Sequence, residues 1–412
     1  MVGAMGWASD LHLHSRFSSA VSPAMTLENI ALWAQRKGVD LLGTGDCLQP
    51  QWLSEIEAQT EEAEPGLRKL KSQVEQAVHA RLPAGLRRSL RFLLSTEVNC
   101  APPGTDPMKG LHQLLYFPSL AVVHEFAARI GRKGDLQDGR PTLAISAREL
   151  LKGTRNFERV YQAPAHVMNP WFSALGVIGG ELALDKVYGD ELPHLLAVET
   201  GLTSDPAMCR RVPSLDRFGL FSCSDAHSLE NLGRECTLLD VEPNYDAIMA
   251  ALRAGTGERV RGTLKFPLEC TQYYHNWCSA CQATYADKTC PDCGRLLTVG
   301  SRDHLPQLAG VRPEPSWPKG QPPSEALRPL AWVIGRAERK NPEGVSARRE
   351  AGVIVDQLGR HERYILTESP LEELLTVAKP EIAGVILNQR TGAISRGSGS
   401  GPRRLGQGDL GL

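Results

Sequence analysis

"DLHLHSRFS", residues 10–18, sets His12 and His14 two residues apart between leucines. In extended backbone, residues i and i+2 point to one face, and Leu11 and Leu13 then face the other way. The spacing predicts a strand, "WASDLHLH", with two imidazoles on one side, either a packed polar pair or half of a metal site. Six further apolar segments read as strands: "VDLLGTGD", "RFLLSTEV", "HQLLYF", "RVYQAPAH", "HLLAVETG" and "GLFSCSDAH". Amphipathic segments lie between several of them. Residues 26–38 offer Thr26 as N-cap, apolar Leu27, Ile30, Ala31, Leu32 and Ala34, and a basic last turn before Gly38. The segment opening at Ser119 ends in the same way. Strand–helix alternation predicts an α/β fold with a parallel sheet, and seven strands suit a barrel better than a short open sheet. Residues 49–91, rich in Glu, Gln, Lys and Arg, read as one or two exposed helices.

Metal-type side chains recur where these strands end. The first ends in His12 and His14, the second in Asp46, the third in Glu97, "QAPAH" in His166, and the last in Asp225 and His227. His112 opens "HQLLYF" and is expected to reach the same place from the preceding loop. The C-terminal ends of strands in a parallel barrel share one rim, so these residues are expected to converge. Imidazole and carboxylate suit zinc, manganese and iron, and a carboxylate can bridge two cations where one imidazole cannot. Clustered cations clamp a phosphoryl group, lower the pKa of a bound water and stabilise the leaving oxygen. A lone histidine or aspartate at a strand end is more often a turn or capping residue. Eight at one rim point to a metal centre, and no serine or cysteine hydrolase triad stands out.

The chain has 412 residues, 42% hydrophobic and 23% charged, which is ordinary for a globular protein of two or three domains. The net charge of −1 does not advertise a nucleic-acid partner, so any such contact needs local positive patches or bound cations. No apolar run approaches about 18 residues, so no membrane span is expected. "MVGAMGWASD" lacks a basic n-region and a long apolar core, so a secretory signal is not expected either. Cys47, Cys100, Cys209, Cys223, Cys236 and Cys270 are scattered, which fits a reducing, cytoplasmic compartment. The other four form "CSACQATYADKTCPDC", C-x2-C-x8-C-x2-C: Cys278, Cys281, Cys290 and Cys293. Two close thiol pairs fit one tetrahedral structural zinc. That ribbon is either a structural staple or also a DNA contact. Residues 1–262 are expected to form the barrel, 263–310 the zinc ribbon, 311–323 a Pro-rich linker or strap, 324–391 a C-terminal mixed and helical module, and 392–412 a disordered tail.

"DLHLHS", "TGD", "STE", "PAH" and "SDAH", in this order and spacing, resemble the metal motifs of the polymerase-and-histidinol-phosphatase (PHP) family of metal-dependent phosphoesterases, over residues 9–262. Longer stretches, among them "PAHVMNPWFSALG", "ETGLTSDPAM", "SDAHSLENLGRE" and "CPDCGRLLTVG", are similar to the endonuclease Q branch, over residues 8–310 and more weakly over 324–391. The resemblance implies a distorted (β/α)7 barrel with two or three divalent metals (zinc, manganese or magnesium). His12, His14, Glu97 and Asp225 resemble the ligands of one metal. Glu97, as a bridge, with His112 and His166 resembles those of the second, and Asp46 and His227 those of the third. Asp225, His227, Asp46 and Glu97 would be the catalytic set. The implied reaction is cleavage of DNA on the 5′ side of deaminated bases (uracil, hypoxanthine, xanthine) and at abasic sites. Two departures stand out. Many relatives have histidine in the second motif, where this chain has Asp46. Many also have another histidine after the first motif, where this chain reads "SRFSSAVS". The third metal is therefore expected to be held more loosely.

Reading a damaged base requires taking it out of the stack. Trp171 and Phe172 could wedge or stack, or could pack against barrel helices. Thr203, Ser204 and Asp205 could hydrogen-bond a base edge, or cap a helix. Ser15 and Arg16 adjoin the metal histidines and could contact phosphate. Arg253, Arg259, Arg261 and Lys265 form one basic stretch, and Arg348, Arg349, Arg360 and Arg363 another, either for phosphate or as solvated surface. Residues 324–391 leave open a lid or a contact for a DNA sliding clamp, and no short clamp-binding peptide stands out. Two competing readings remain, a PHP phosphatase acting on a small phosphate ester and a non-catalytic DNA-binding PHP module. The first would not need a zinc ribbon, and the second would be expected to have lost several ligands.

Overall fold

A computed structural model describes residues 6–391, so the tail of residues 392–412 lies outside the described residues. Strand Trp7–Asp10 (β1) pairs in parallel with Leu41–Gly43 (β2), and β2 in parallel with the long strand Arg91–Cys100 (β3). Leu111–Phe117 (β4) runs antiparallel to β3 and also to Tyr161–Pro164 (β5). Val198–Glu199 (β6) and Leu220–Phe221 (β7) form a separate parallel pair.

Single backbone bonds stitch this pair in place. Leu196 N donates to Gln162 O at 2.9 Å and Val167 N to Glu199 O at 3.0 Å, joining β5 to β6. Asp225 N donates to His12 O at 3.0 Å and His14 N to Ala226 O at 3.1 Å, joining the segment after β7 to that after β1. The seven strands thus follow one another around a ring. On the other edge of β1 the sheet continues through Cys236–Leu239 (β8), Val260–Lys265 (β9) and the short strand Ser324–Ala326. The whole is a mixed α/β fold.

Local chemistry explains the elements. Thr26 caps the helix Leu27–Lys37, its hydroxyl accepting from Asn29 N, and Gly38 ends it at φ +87°. Ser119 caps Leu120–Ile130 in the same way. Residues 49–91 differ from expectation. Helix Pro50–Gln59 buries Trp52, Leu53 and Ile56, and the antiparallel strands Thr60–Glu62 and Arg68–Leu70 separate it from helix Ser72–His79. These two strands read TEE and RKL, so their polar composition hid a sheet edge beside β3.

The Pro-rich segment lies against the body as a strap. Ser316 N bonds Arg210 O at 2.9 Å, Gly257 N bonds Gly320 O at 2.7 Å, and Thr263 N bonds Pro323 O at 3.0 Å. The C-terminal helices Leu330–Glu338, Val345–Leu358, Glu362–Thr367, Leu371–Leu375 and Pro380–Arg390 share the main apolar core with the first helix. Arg36–Asp356 and Lys37–Glu362 ion pairs seal that seam. No helix among the described residues is long and apolar enough to cross a membrane.

Candidate metal centre

β1 stops at Asp10, earlier than the sequence suggests, but the chain stays extended through an isolated bridge, Leu13 to Ala226. Leu11 and Leu13 are buried in the core, and His12 and His14 point together to the opposite side. Asp46, His166, Asp225 and His227 sit in loops just past β2, β5 and β7, while Glu97 lies within β3. His112 needs no reach from a loop. Because β4 runs antiparallel, its first residues lie beside the last residues of β3, with His112 opposite Asn99. Three of these loop residues hold left-handed backbone: Asp46 at φ +49°, His166 at φ +28° and Asp225 at φ +48°. Such strain persists only where surrounding structure over-determines it.

Three overlapping sets of donor atoms result: His12, His14 and Glu97; His14, Asp225 and His227; and Glu97, His112 and His166. His12 Nε2 and His14 Nε2 lie 3.4 and 3.3 Å from Asp225 Oδ1, and 3.5 and 3.4 Å from the two oxygens of Glu97. His12 Nε2, His14 Nε2 and Asp225 Oδ1 are buried without a hydrogen-bond partner. Orphaned buried polar atoms are costly, and three aimed at one point fit a cation. The spacing agrees, since donors about 3.4 Å apart are the edge of a tetrahedron with bonds of ~2.1 Å, the zinc–nitrogen length. On the other side Glu97 Oε1 lies 3.0 Å from His112 Nδ1 and 3.1 Å from His166 Nε2. One carboxylate therefore faces two donor sets, the placement of a bridge.

The electrostatics ask for positive charge. Burial would lower the pKa of His12, but Glu199, Asp225 and Glu97 hold it well above the ordinary imidazole value. His14 is treated alike: burial lowers it, Asp46 and its neighbours override this, and it rises to about 10. Burial would raise Glu97, but the imidazoles of His112 and His12 keep it well below the usual carboxylate range.

The far sides of the rings are held as metal ligands require. His12 Nδ1 lies 3.0 Å from Glu199 Oε1, and Glu199 Oε2 also accepts from His166 N at 2.7 Å. His166 Nδ1 meets the Ser173 hydroxyl at 3.0 Å, and that hydroxyl donates to His166 O. His14 Nδ1 lies 3.0 Å from Asp46 Oδ1, while Asp46 Oδ2 accepts from Ser15 N, the Ser15 hydroxyl and the Ser18 hydroxyl. Asp46 is thus absent from the three converging sets and orients His14. Trp52 Nε1 fixes its loop through Thr44 O and Gly45 O. His227 stands at the open edge, its Nδ1 bonded to Asp225 O at 2.9 Å.

Most of the suggested substrate residues are engaged inside the fold. Ser15 is taken by Asp46, and Arg16 by Glu55 at 2.5 Å. Phe172, at φ +62°, stacks on the His112 ring at 4.4 Å. Trp171 meets Tyr273 edge-on at 4.8 Å. Asp205 caps Pro206–Cys209, Ser204 donates to Thr200 O, and Thr203 O accepts from Ser301. Lys265 leaves its basic stretch altogether, since it is buried against Glu235 and bonds Thr200 and Gly201. A cleft of about 880 Å³ opens beside it, lined by Asp205, Tyr274 and Trp317.

Two residues that sequence reading missed are prominent. Glu199 had a signal, because "VETG" ends an apolar strand as "STE" does. Arg140, in the polar turn "DGRP", had none; its Nη1 lies 3.4 Å from Glu97 Oε2.

Cys278, Cys281, Cys290 and Cys293 gather in a second cluster next to the hairpin Asn276–Cys278 and Ala283–Tyr285. Sulfurs of Cys278 and Cys293 are 3.6 Å apart, and those of Cys281 and Cys290 are 3.7 Å apart. That is far beyond a disulfide's ~2.05 Å and matches the edge of a sulfur tetrahedron with ~2.3 Å zinc bonds. Gly294 turns the knuckle at φ +72°.

No protein-family model matches the chain. It is 25% identical to the uncharacterised protein YqxK of Bacillus subtilis, over 95% of this chain and 97% of that one. It is 29% identical to the uncharacterised protein MJ0043 of Methanocaldococcus jannaschii, over 44% of this chain and 19% of that one. Among solved structures it is similar to the lesion-specific endonuclease PfuEndoQ of Pyrococcus furiosus, with TM-score 0.77 and 28% identity over 94% of this chain and 91% of that one. It is also similar to endonuclease Q in complex with a 27-mer duplex bearing an abasic lesion at the active site, with TM-score 0.80 and 27% identity over 94% and 93%. Over nearly its whole length, then, the chain is similar in sequence and fold to endonuclease Q.

Proposed function

We propose that the protein is a metal-dependent DNA repair endonuclease that hydrolyses the phosphodiester on the 5′ side of deaminated bases (uracil, hypoxanthine, xanthine) and abasic sites. The observation that carries this reading is the convergence of His12, His14, Glu97, His112, His166, Asp225 and His227 in a fold similar to a lesion-specific endonuclease. We read the ring of seven strands as a distorted PHP barrel, with residues 1–262 as its catalytic domain. His12, His14, Glu97 and Asp225 would hold one cation; Glu97, His112 and His166 a second; and His227, with Asp225 as the shared carboxylate, a looser third. Divalent cations bound there supply Lewis acidity for the phosphoryl oxygens and a more acidic attacking water.

The chain's own residues supply position. Glu97 shares its two oxygens between neighbouring donor sets and fixes their separation. Glu199 and Asp46 hold His12 and His14 with lone pairs turned inward. The Ser173 hydroxyl does the same for His166. His227 is the most exposed imidazole of the set. The four cysteines are proposed to hold one structural zinc. Their module reaches both loops beside the centre, through Tyr273 on Trp171 and Ser301 on Thr203.

The test is a substrate panel. Protein with Mg²⁺ or Mn²⁺ is incubated with duplexes carrying one uracil, hypoxanthine, xanthine or abasic site, an undamaged duplex, and p-nitrophenyl phosphate. Nicking 5′ to a lesion, absent from the undamaged duplex, is the expected outcome. Hydrolysis of the monoester alone would make the protein a small-ester phosphatase, and binding of DNA without any cleavage would make it a non-catalytic module.

A further inference from the structure

Arg140 sits two residues before the short strand Thr142–Leu143, which pairs with the end of β3. Its loop is braced from three directions. Asn99 N donates to Pro141 O at 2.9 Å, Gly139 N donates to Phe17 O at 3.0 Å, and Arg140 N donates to Asp138 Oδ1 at 2.8 Å. Gly139 lies so close to the centre that a Cβ there would fall 2.5 Å from Asp46 Oδ2. The guanidinium is therefore delivered to the cage by fixed backbone rather than by a free loop.

Among the described residues, Arg140 is the only lysine or arginine with its charged end within 4 Å of Glu97, Asp225 or Asp46. Arg16, the cation that sequence proximity favours, is spent on Glu55. A guanidinium stays charged at any working pH, so Arg140 is a fixed cation beside the cage carboxylates. The contact with Glu97 is a single one at 3.4 Å. An arginine serving only to neutralise a carboxylate would take the shorter, two-pronged geometry. One long contact uses one of five donors, and the side chain keeps 23% of its surface open.

Resting on the endonuclease reading above, we propose that Arg140 binds a non-bridging oxygen of the scissile phosphodiester and so positions the DNA backbone against the metal centre. The ligand is the phosphate itself, not the damaged base, so Arg140 acts alike on every lesion.

The test compares wild type, Arg140→Ala and Arg140→Lys as metal-loaded proteins. For each, kcat/KM on uracil and abasic duplexes is measured across KCl concentrations, with metal content per chain determined on the same samples. Arg140→Ala should lose roughly 10- to 100-fold in kcat/KM on both lesions alike, the worth of one charge-assisted hydrogen bond. The slope of log kcat/KM against log salt should become shallower by about 0.9, with metal content unchanged. Arg140→Lys should keep the wild-type slope and recover part of the rate, which also covers a poorly folding alanine variant. Unchanged kinetics in Arg140→Ala, or lost activity that follows lost metal at an unchanged slope, would overturn the proposal while wild-type nicking kept the endonuclease reading intact. Wild type inert on both duplexes would overturn both.

Discussion

Glu199→Gln perturbs the centre without removing a donor. The Glu199 carboxylate is fully buried; its two oxygens lie 3.0 and 3.1 Å from His12 Nδ1, and Oε2 also accepts from His166 N at 2.7 Å. For His12 to offer a lone pair from Nε2, its proton must sit on Nδ1, and Glu199 is what accepts it. A glutamine has one oxygen to meet two donors. If that oxygen keeps His166 N–H, the amide NH2 faces Nδ1–H, and His12 is driven to carry its proton on Nε2, pointing at Asp225 and Glu97. If the amide turns around, His166 N–H is left facing a donor. The first arrangement costs His12 the lone pair it would offer a cation, and the second leaves a buried donor unsatisfied at about 1–3 kcal/mol. Loss of such an orienting partner costs metal affinity roughly 10- to 100-fold, or about 1.4–2.7 kcal/mol. Chelator competition should show weaker divalent binding, and nicking of an abasic duplex should need correspondingly more metal, while circular dichroism stays native. Glu199→Gln that binds and cuts as wild type would refute the orienting role.

Gly201→Ala should be more damaging than its size suggests. At φ +69° its new Cβ would lie 2.3 Å from His166 Cβ. The left-handed conformation alone costs ~1–2 kcal/mol for a residue with a side chain, so a lower melting temperature and slower nicking are expected; unchanged values of both would contradict the packing. Cys281→Ser should remove one metal equivalent and lower the melting temperature, with the ions of the histidine–carboxylate cage retained by elemental analysis. His361 gives a pH prediction. Burial, then the charges of Arg88, Arg363 and Arg360, push its pKa from 6.5 to about 3. The fold therefore favours neutral His361, whose contribution is complete above pH ~6.5 and is lost as pH falls from there towards about 3. His361→Asn, which can still accept from Tyr364 N as an N-cap, should flatten the fall in melting temperature over that window; a fall as steep as in wild type would point to other groups.

How much of this was legible in the sequence depends on the residue. His12, His14, Glu97, His166 and Asp225 stood out because ligand chemistry and strand ends coincide, and rim geometry follows from strand direction. His112 looked misplaced because its strand runs antiparallel to β3, and strand direction is set by pairing partners far away in the chain. Asp46 kept the residue type of a ligand, but neighbouring Ser15 and Ser18 hydroxyls occupy one of its oxygens, leaving it to orient His14. Glu199 was readable by the same rule as Glu97. Arg140 was not, since only the folded loop brings a turn arginine to a carboxylate 43 residues earlier in the chain. The left-handed backbone at Asp46, His166 and Asp225 was hidden too, because none of the three is glycine. The four cysteines were the opposite case: their spacing alone gathers the sulfurs.

The most direct test of the account is to strip the protein with a chelator, restore Mn²⁺ in steps, and measure bound metal and nicking of an abasic-site duplex on the same samples. The account predicts no cleavage by stripped protein, and lesion-dependent nicking that rises as at least two ions per chain fill the cage beyond the one held by the cysteines. Full-rate nicking with the cage empty, or a filled cage that leaves the abasic duplex intact, would contradict it.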